Sequence, residues 1–66
     1  MHINHKTQPQ ELAKALGLEL RVAKFLKDIF VQEARFDRLD EVPPEVMDEM
    51  IETAQRFARE NPEIYT

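Results

Sequence analysis

One glycine, Gly17, stands in a chain of 66 residues, and it divides the first half. It follows Glu11-Leu12-Ala13-Lys14-Ala15-Leu16 and precedes Leu18. Glycine enters the left-handed backbone region at no steric cost, so a helix that reaches Gly17 stops there and the chain turns. Four places earlier, the small Ala13 lets a second helix pack close. The spacing predicts the first helix and tight turn of a helix-turn-helix.

Local signals predict the helices on either side. Thr7 and Gln10 fit a capping box, and Pro9 suits a first turn whose N–H groups have no helical partner. Helix one is predicted from Gln8 to Leu16, with Leu12, Ala13, Ala15 and Leu16 as its buried stripe. Leu18 is expected to bury in the turn, and Glu19 takes the N-cap position of helix two. Helix two is predicted from Leu20 to Arg35, because Val22, Ala23, Phe25, Leu26, Ile29, Phe30 and Ala34 recur at three- and four-residue spacing. Phe36, Leu39 and Val42 are expected to anchor the connection, with Asp40 or Val42 preceding helix three. Helix three is predicted from Pro44 to Glu60, with a stripe of Val46, Met47, Met50, Ile51, Ala54, Phe57 and Ala58. Acidic residues crowd its start and Arg56 and Arg59 its end, which complements the helix dipole. Asn61-Pro62 ends it, and Ile64 and Tyr65 are expected to fold back. Residues 1–6 read as a flexible arm and residues 7–66 as one helical domain.

Composition narrows the chemistry. The chain has no cysteine, so no disulfide staples it and no thiolate serves as nucleophile or metal ligand. It also has no serine, which rules out a Ser–His–Asp arrangement. With a single glycine it has no glycine-rich phosphate loop. His2 and His5 on the arm lack a third ligand and a supporting shell, so no metal is expected. An enzyme is not expected, and neither is a cofactor. No apolar run approaches the ~20 residues of a membrane span, and MHINHKTQ lacks the apolar stretch of a secretory leader. A cytoplasmic protein that does not bind membranes is the expectation.

Charge is uneven. Residues 1–38 hold seven Lys and Arg against five Asp and Glu, a balance of +2; residues 39–66 hold two against eight, a balance of −6. Two surfaces with different partners would show this pattern, and so would a solvated acidic helix face. In a helix-turn-helix the start of the second helix enters the major groove. Arg21, Lys24 and Lys27 would then meet DNA, with Lys14 near the backbone and Glu19 beside them. Arginine pairs bidentately with guanine, and lysine neutralises phosphate. Several features oppose this. The β-branched residue usual six places past the glycine is Ala23 here, Val22 sitting one place early, and Asp28 and Glu33 share the helix surface.

A second class of function draws on other residues. Helix two is apolar over much of its circumference, Phe25 and Ile29 included, and one small bundle cannot cover all of it. Glu45, Asp48, Glu49 and Glu52 fall on one flank of helix three at i, i+3, i+4 and i+7. A larger protein partner, or a homodimer, would use these surfaces.

Two resemblances accompany these readings. Residues 11–29 resemble the small N-terminal module of bacterial translation initiation factor two, with its ELAKxLG-type helix, turn and further helix, departing from it in the spacing after the glycine. That family's module is not a sequence reader, which weighs against DNA. Residues 34–66 resemble the small helical domain ending the B subunit of light-independent protochlorophyllide reductase. The shared pattern is Leu39-x-x-Val42-Pro43, Val46, Ala58-Arg59-Glu60 and Thr66; Met47 replaces the arginine that usually follows the valine. No functional residue is carried over from either.

The expected fold is all-α, a small orthogonal three-helix bundle with a helix-turn-helix-like start and a short fourth turn. The leading expectation is a small dimeric DNA-binding regulator. The alternative is a protein-interaction module, adaptor or inhibitor that binds through apolar helix two or acidic helix three.

Overall fold

A computed structural model of the chain describes Asn4, residues 6–33 and residues 35–65. The order is α1 (Pro9–Leu16), α2 (Leu20–Gln32), a 3-10 turn (Leu39–Glu41) and α3 (Pro44–Glu60). The protein is an all-α three-helix bundle in which α2 packs against both α1 and α3. Among the described residues no helix is long and apolar enough to cross a membrane. His2, His5, Ala34 and Thr66 lie outside the described residues.

The core is small and continuous. Leu12, Leu26, Phe30 and Leu39 are its largest fully buried side chains. Val22, Ala23, Phe25, Val42, Met50, Ala54 and Ala58 complete it. Ala13, Leu16, Leu18, Ile29, Phe36, Val46, Met47 and Ile51 pack against it half-buried. Ala15, expected in the stripe of α1, faces solvent, as does Phe57 in part.

Prolines set two helix starts. Pro9 forces Gln8 into extended backbone (φ −71°, ψ 150°), so the N-cap is Gln8 rather than Thr7. The capping box does not form. Thr7 is buried, and its hydroxyl accepts the Asn4 N–H at 2.9 Å. Asn4 also forms an isolated antiparallel bridge to Arg38, so this part of the expected arm is tied down. Pro44 acts likewise on Pro43, which is the N-cap of α3 (ψ 149°) in place of Asp40 or Val42.

Helix α2 stops at Gln32, three residues before the expected Arg35. The Glu33 N–H closes on the Ile29 and Phe30 carbonyls, and the Phe36 N–H then bonds the Glu33 carbonyl. A longer helix would carry the chain away from the core. The reversal instead delivers Leu39 and Val42 into it, both less than a tenth exposed. Burial of those two side chains outweighs the helix propensity of the segment.

Candidate functional site

The turn between α1 and α2 forms as its glycine requires. Gly17 has φ 67° and ψ 35°, and its N–H and that of Leu18 both bond the Ala13 carbonyl. Three residues separate the helices, and Ala23 and Leu26 are fully buried behind the turn.

The face of α2 that follows is not open. The Arg21 guanidinium lies across the C-terminal end of α3. Its Nε donates to the Ile64 carbonyl at 2.8 Å, Nη1 to the Ala58 carbonyl and Nη2 to the Asn61 carbonyl. The last carbonyls of a helix lack intrahelical donors, and a fork of five N–H groups supplies them. A cation there also meets the negative end of the helix dipole. Phe25 is buried under two other rings, with Phe57 at 6.3 Å and Tyr65 edge-on at 5.1 Å. The Tyr65 hydroxyl donates to the Asp28 carboxylate. That bond holds the phenol above its ordinary pKa, with burial and the Asp28 charge adding to the effect. Tyr65 has φ 58°, in the left-handed region. The turn over residues 62–65 is thus laid against Arg21, Lys24, Phe25 and Asp28, and Ile64 and Tyr65 fold back as the sequence leads one to expect.

Cations edge this aromatic group. The Lys24 ammonium lies 5.8 Å from the Tyr65 ring, the Arg56 guanidinium 5.9 Å from Phe57 and that of Arg21 5.7 Å from Phe25. Cation–ring attraction holds such pairs at a surface. Phe57 and Tyr65 are 36% and 41% exposed, so the rings are large apolar surface left in water.

Of the residues expected to meet DNA, Arg21 and Lys24 join this cluster. Lys14 is exposed on α1 and Lys27 half-buried on α2. Of those expected to meet a protein, Phe25 lies under the rings and Ile29 is half-buried one turn further along α2. Ile29 and Glu49 line one cleft of about 270 Å³, with Glu33, Arg35, Val46, Met50 and Thr53. Glu45, Asp48 and Glu52 are exposed on α3. A second, open cleft of about 630 Å³ lies between the Gly17 turn and α3, with Arg21, Gln55 and Arg59 on its wall. Among the described residues, no three His, Asp or Glu are grouped to hold a metal ion.

Phe57, Tyr65 and Arg56 were not singled out from the sequence as one surface. Phe57 carried only a core signal and Arg56 only a dipole signal; their meeting with Phe25 depends on how α2 and α3 pair. No known family, curated protein or solved structure matches the chain.

Proposed function

We propose that the chain is a non-enzymatic protein-interaction module built on a helix-turn-helix-like frame. One observation carries the reading. The start of α2, which a DNA-binding helix-turn-helix presents to the major groove, is here joined to the end of α3 and the C-terminal turn through Arg21, Phe25 and Asp28. A guanidinium that satisfies three carbonyls is not available to a guanine edge without giving them up. The net charge of −4 also opposes approach to a phosphate backbone. Five large apolar side chains are exposed among the charged ones: Leu20, Val31, Phe57, Ile64 and Tyr65. Exposed apolar surface of this kind serves protein contacts.

The three-residue turn at Gly17 and the placement of Lys14, Lys24 and Lys27 favour the second reading, a small DNA-binding regulator. A fluorescent random-sequence duplex titrated with the protein at low salt separates the two. The expected result is no saturable binding. Saturable binding that falls steeply as salt is added would show counterion release and replace the module reading with the regulator. In parallel, protein captured from a lysate of the source cell should be lost when the bait carries Ile29→Asp with its helicity intact.

A further inference from the structure

The α2–α3 pair is filled at one end and open at the other. The helices run in opposite directions, since Arg21 near the start of α2 bonds Ala58 near the end of α3, while Ile29 and Glu33 line a cleft with Val46 and Glu49. Arg21, Phe25 and Tyr65 occupy the filled end. At the open end the cleft of about 270 Å³ has an apolar floor of Ile29, Val46 and Met50. Small-molecule pockets run from roughly 300 to 1,000 Å³, so this cleft suits one large side chain of another protein.

The α3 side of the cleft is acidic and unopposed. Residues 39–55 hold six Asp and Glu and no Lys or Arg. Arg38 pairs with Asp40, and Arg35 on the opposite rim of the cleft pairs with Glu33. Glu45, Asp48, Glu49 and Glu52 form no ion pair among the described residues. Glu45 stands in the first turn of α3, where it complements the helix dipole. That effect fades within one turn and does not account for Glu49 and Glu52. At i, i+4 and i+7 the three glutamates share one flank, and like charges at these spacings oppose the helix. Glu49 also lines the cleft and so joins that flank to the apolar floor.

We propose that this cleft and its glutamate flank dock a basic amphipathic helix of a partner protein. One apolar side chain of that helix sits on Ile29, Val46 and Met50, and its Lys or Arg residues lie along Glu45, Glu49 and Glu52. The proposal rests on the protein-interaction reading and names the partner's chemistry. Charge complementarity selects a cationic partner. A cleft between two helices offers no free backbone groups, so the docked segment must carry its own backbone hydrogen bonds, as a helix does. The acidic flank ends at Arg56, whose guanidinium lies 5.9 Å from the Phe57 ring, so the partner's cations lie toward the start of α3.

The probe is a fluorescent leucine–lysine peptide of about 18 residues, long enough to form a helix, with its leucines on one face. Titration with the full chain should give saturable binding by fluorescence anisotropy. A peptide with glutamate in place of lysine should not bind, nor should one with glutamine in place of leucine. Glu49→Lys should weaken binding of the first peptide about tenfold or more. Asp48→Lys makes the same charge change about 100° further round α3, away from the cleft, and should weaken it clearly less. Glu49→Lys should also hold or raise stability in urea, because it sets a cation between Glu45 and Glu52. Four results would overturn the proposal: no binding of the leucine–lysine peptide, equal binding of either control peptide, equal weakening by the two variants, or a loss of stability in Glu49→Lys. If the peptide fails while Ile29→Asp still loses the captured protein, the cationic partner alone is removed. If the peptide fails and Ile29→Asp keeps that protein, the module reading falls with it.

Discussion

Gly17 and Arg21 are four residues apart and were legible to very different degrees. The left-handed turn at Gly17 is a local matter, decided by a missing Cβ and by hydrogen bonds to Ala13. A methyl group placed there would meet nothing within 4 Å, so only the backbone conformation opposes it. Gly17→Ala is expected to destabilise the fold by about 1–2 kcal/mol, the left-handed penalty alone, read from urea unfolding. A larger loss would mean that the turn is packed more tightly than its surroundings show. Arg21 reads in the sequence as one of several cations on a polar face. Its three carbonyl partners lie 37 to 43 residues away, beyond the reach of any periodicity argument. Phe57 misleads in the other direction: its place in the apolar stripe reads as core, but it meets Phe25 at 6.3 Å and stays more than a third exposed.

Between elements, Arg21 is the link that closes the end of the bundle. It joins α2 to the last turn of α3 and, through Ile64, to the C-terminal turn. Arg21→Lys tests this geometry while keeping the charge. An ammonium is a point donor that cannot span three carbonyls as a planar fork does. The expected cost is about 1–2 kcal/mol, toward the lower end of what hydrogen bonds to charged groups contribute because the side chain is only half-buried. Amide exchange should quicken at the end of α3 before it does in α1. Equal exchange throughout would place the closing interaction elsewhere. Helix starts were only partly legible: Pro9 and Pro44 mark them, but the restriction each imposes on its preceding residue moves the N-cap to Gln8 and Pro43. The end of α2 was not legible, because it depends on where Leu39 and Val42 must go.

At the scale of the whole molecule there is one core and little in reserve. The Cα radius of gyration is 11.0 Å, close to the roughly 11 Å expected of a compact chain this long. Leu12 is 1% exposed at the centre, while Leu16 only packs against the core from its edge. Leu12→Ala should therefore destabilise the fold by about 2–5 kcal/mol, and Leu16→Ala by clearly less, both by chemical unfolding. Equal losses would mean that α1 buries both leucines alike. A chain this small loses a large share of its stability to one such cavity.

The sequence by itself determined the all-α class, the presence of three helices, the Gly17 turn and the full span of α3. Each depends on contacts within a few residues: backbone bonds from i to i+4, the φ of proline and the permissiveness of glycine. The tertiary structure alone decided where α2 ends, what Arg21 binds, and that Phe25, Phe57 and Tyr65 meet beside Lys24 and Arg56. The contacts of Arg21 with the end of α3, and of Phe25 and Lys24 with Phe57 and Tyr65, join residues more than thirty positions apart, and they form because α2 and α3 pair in opposite directions around one shared core.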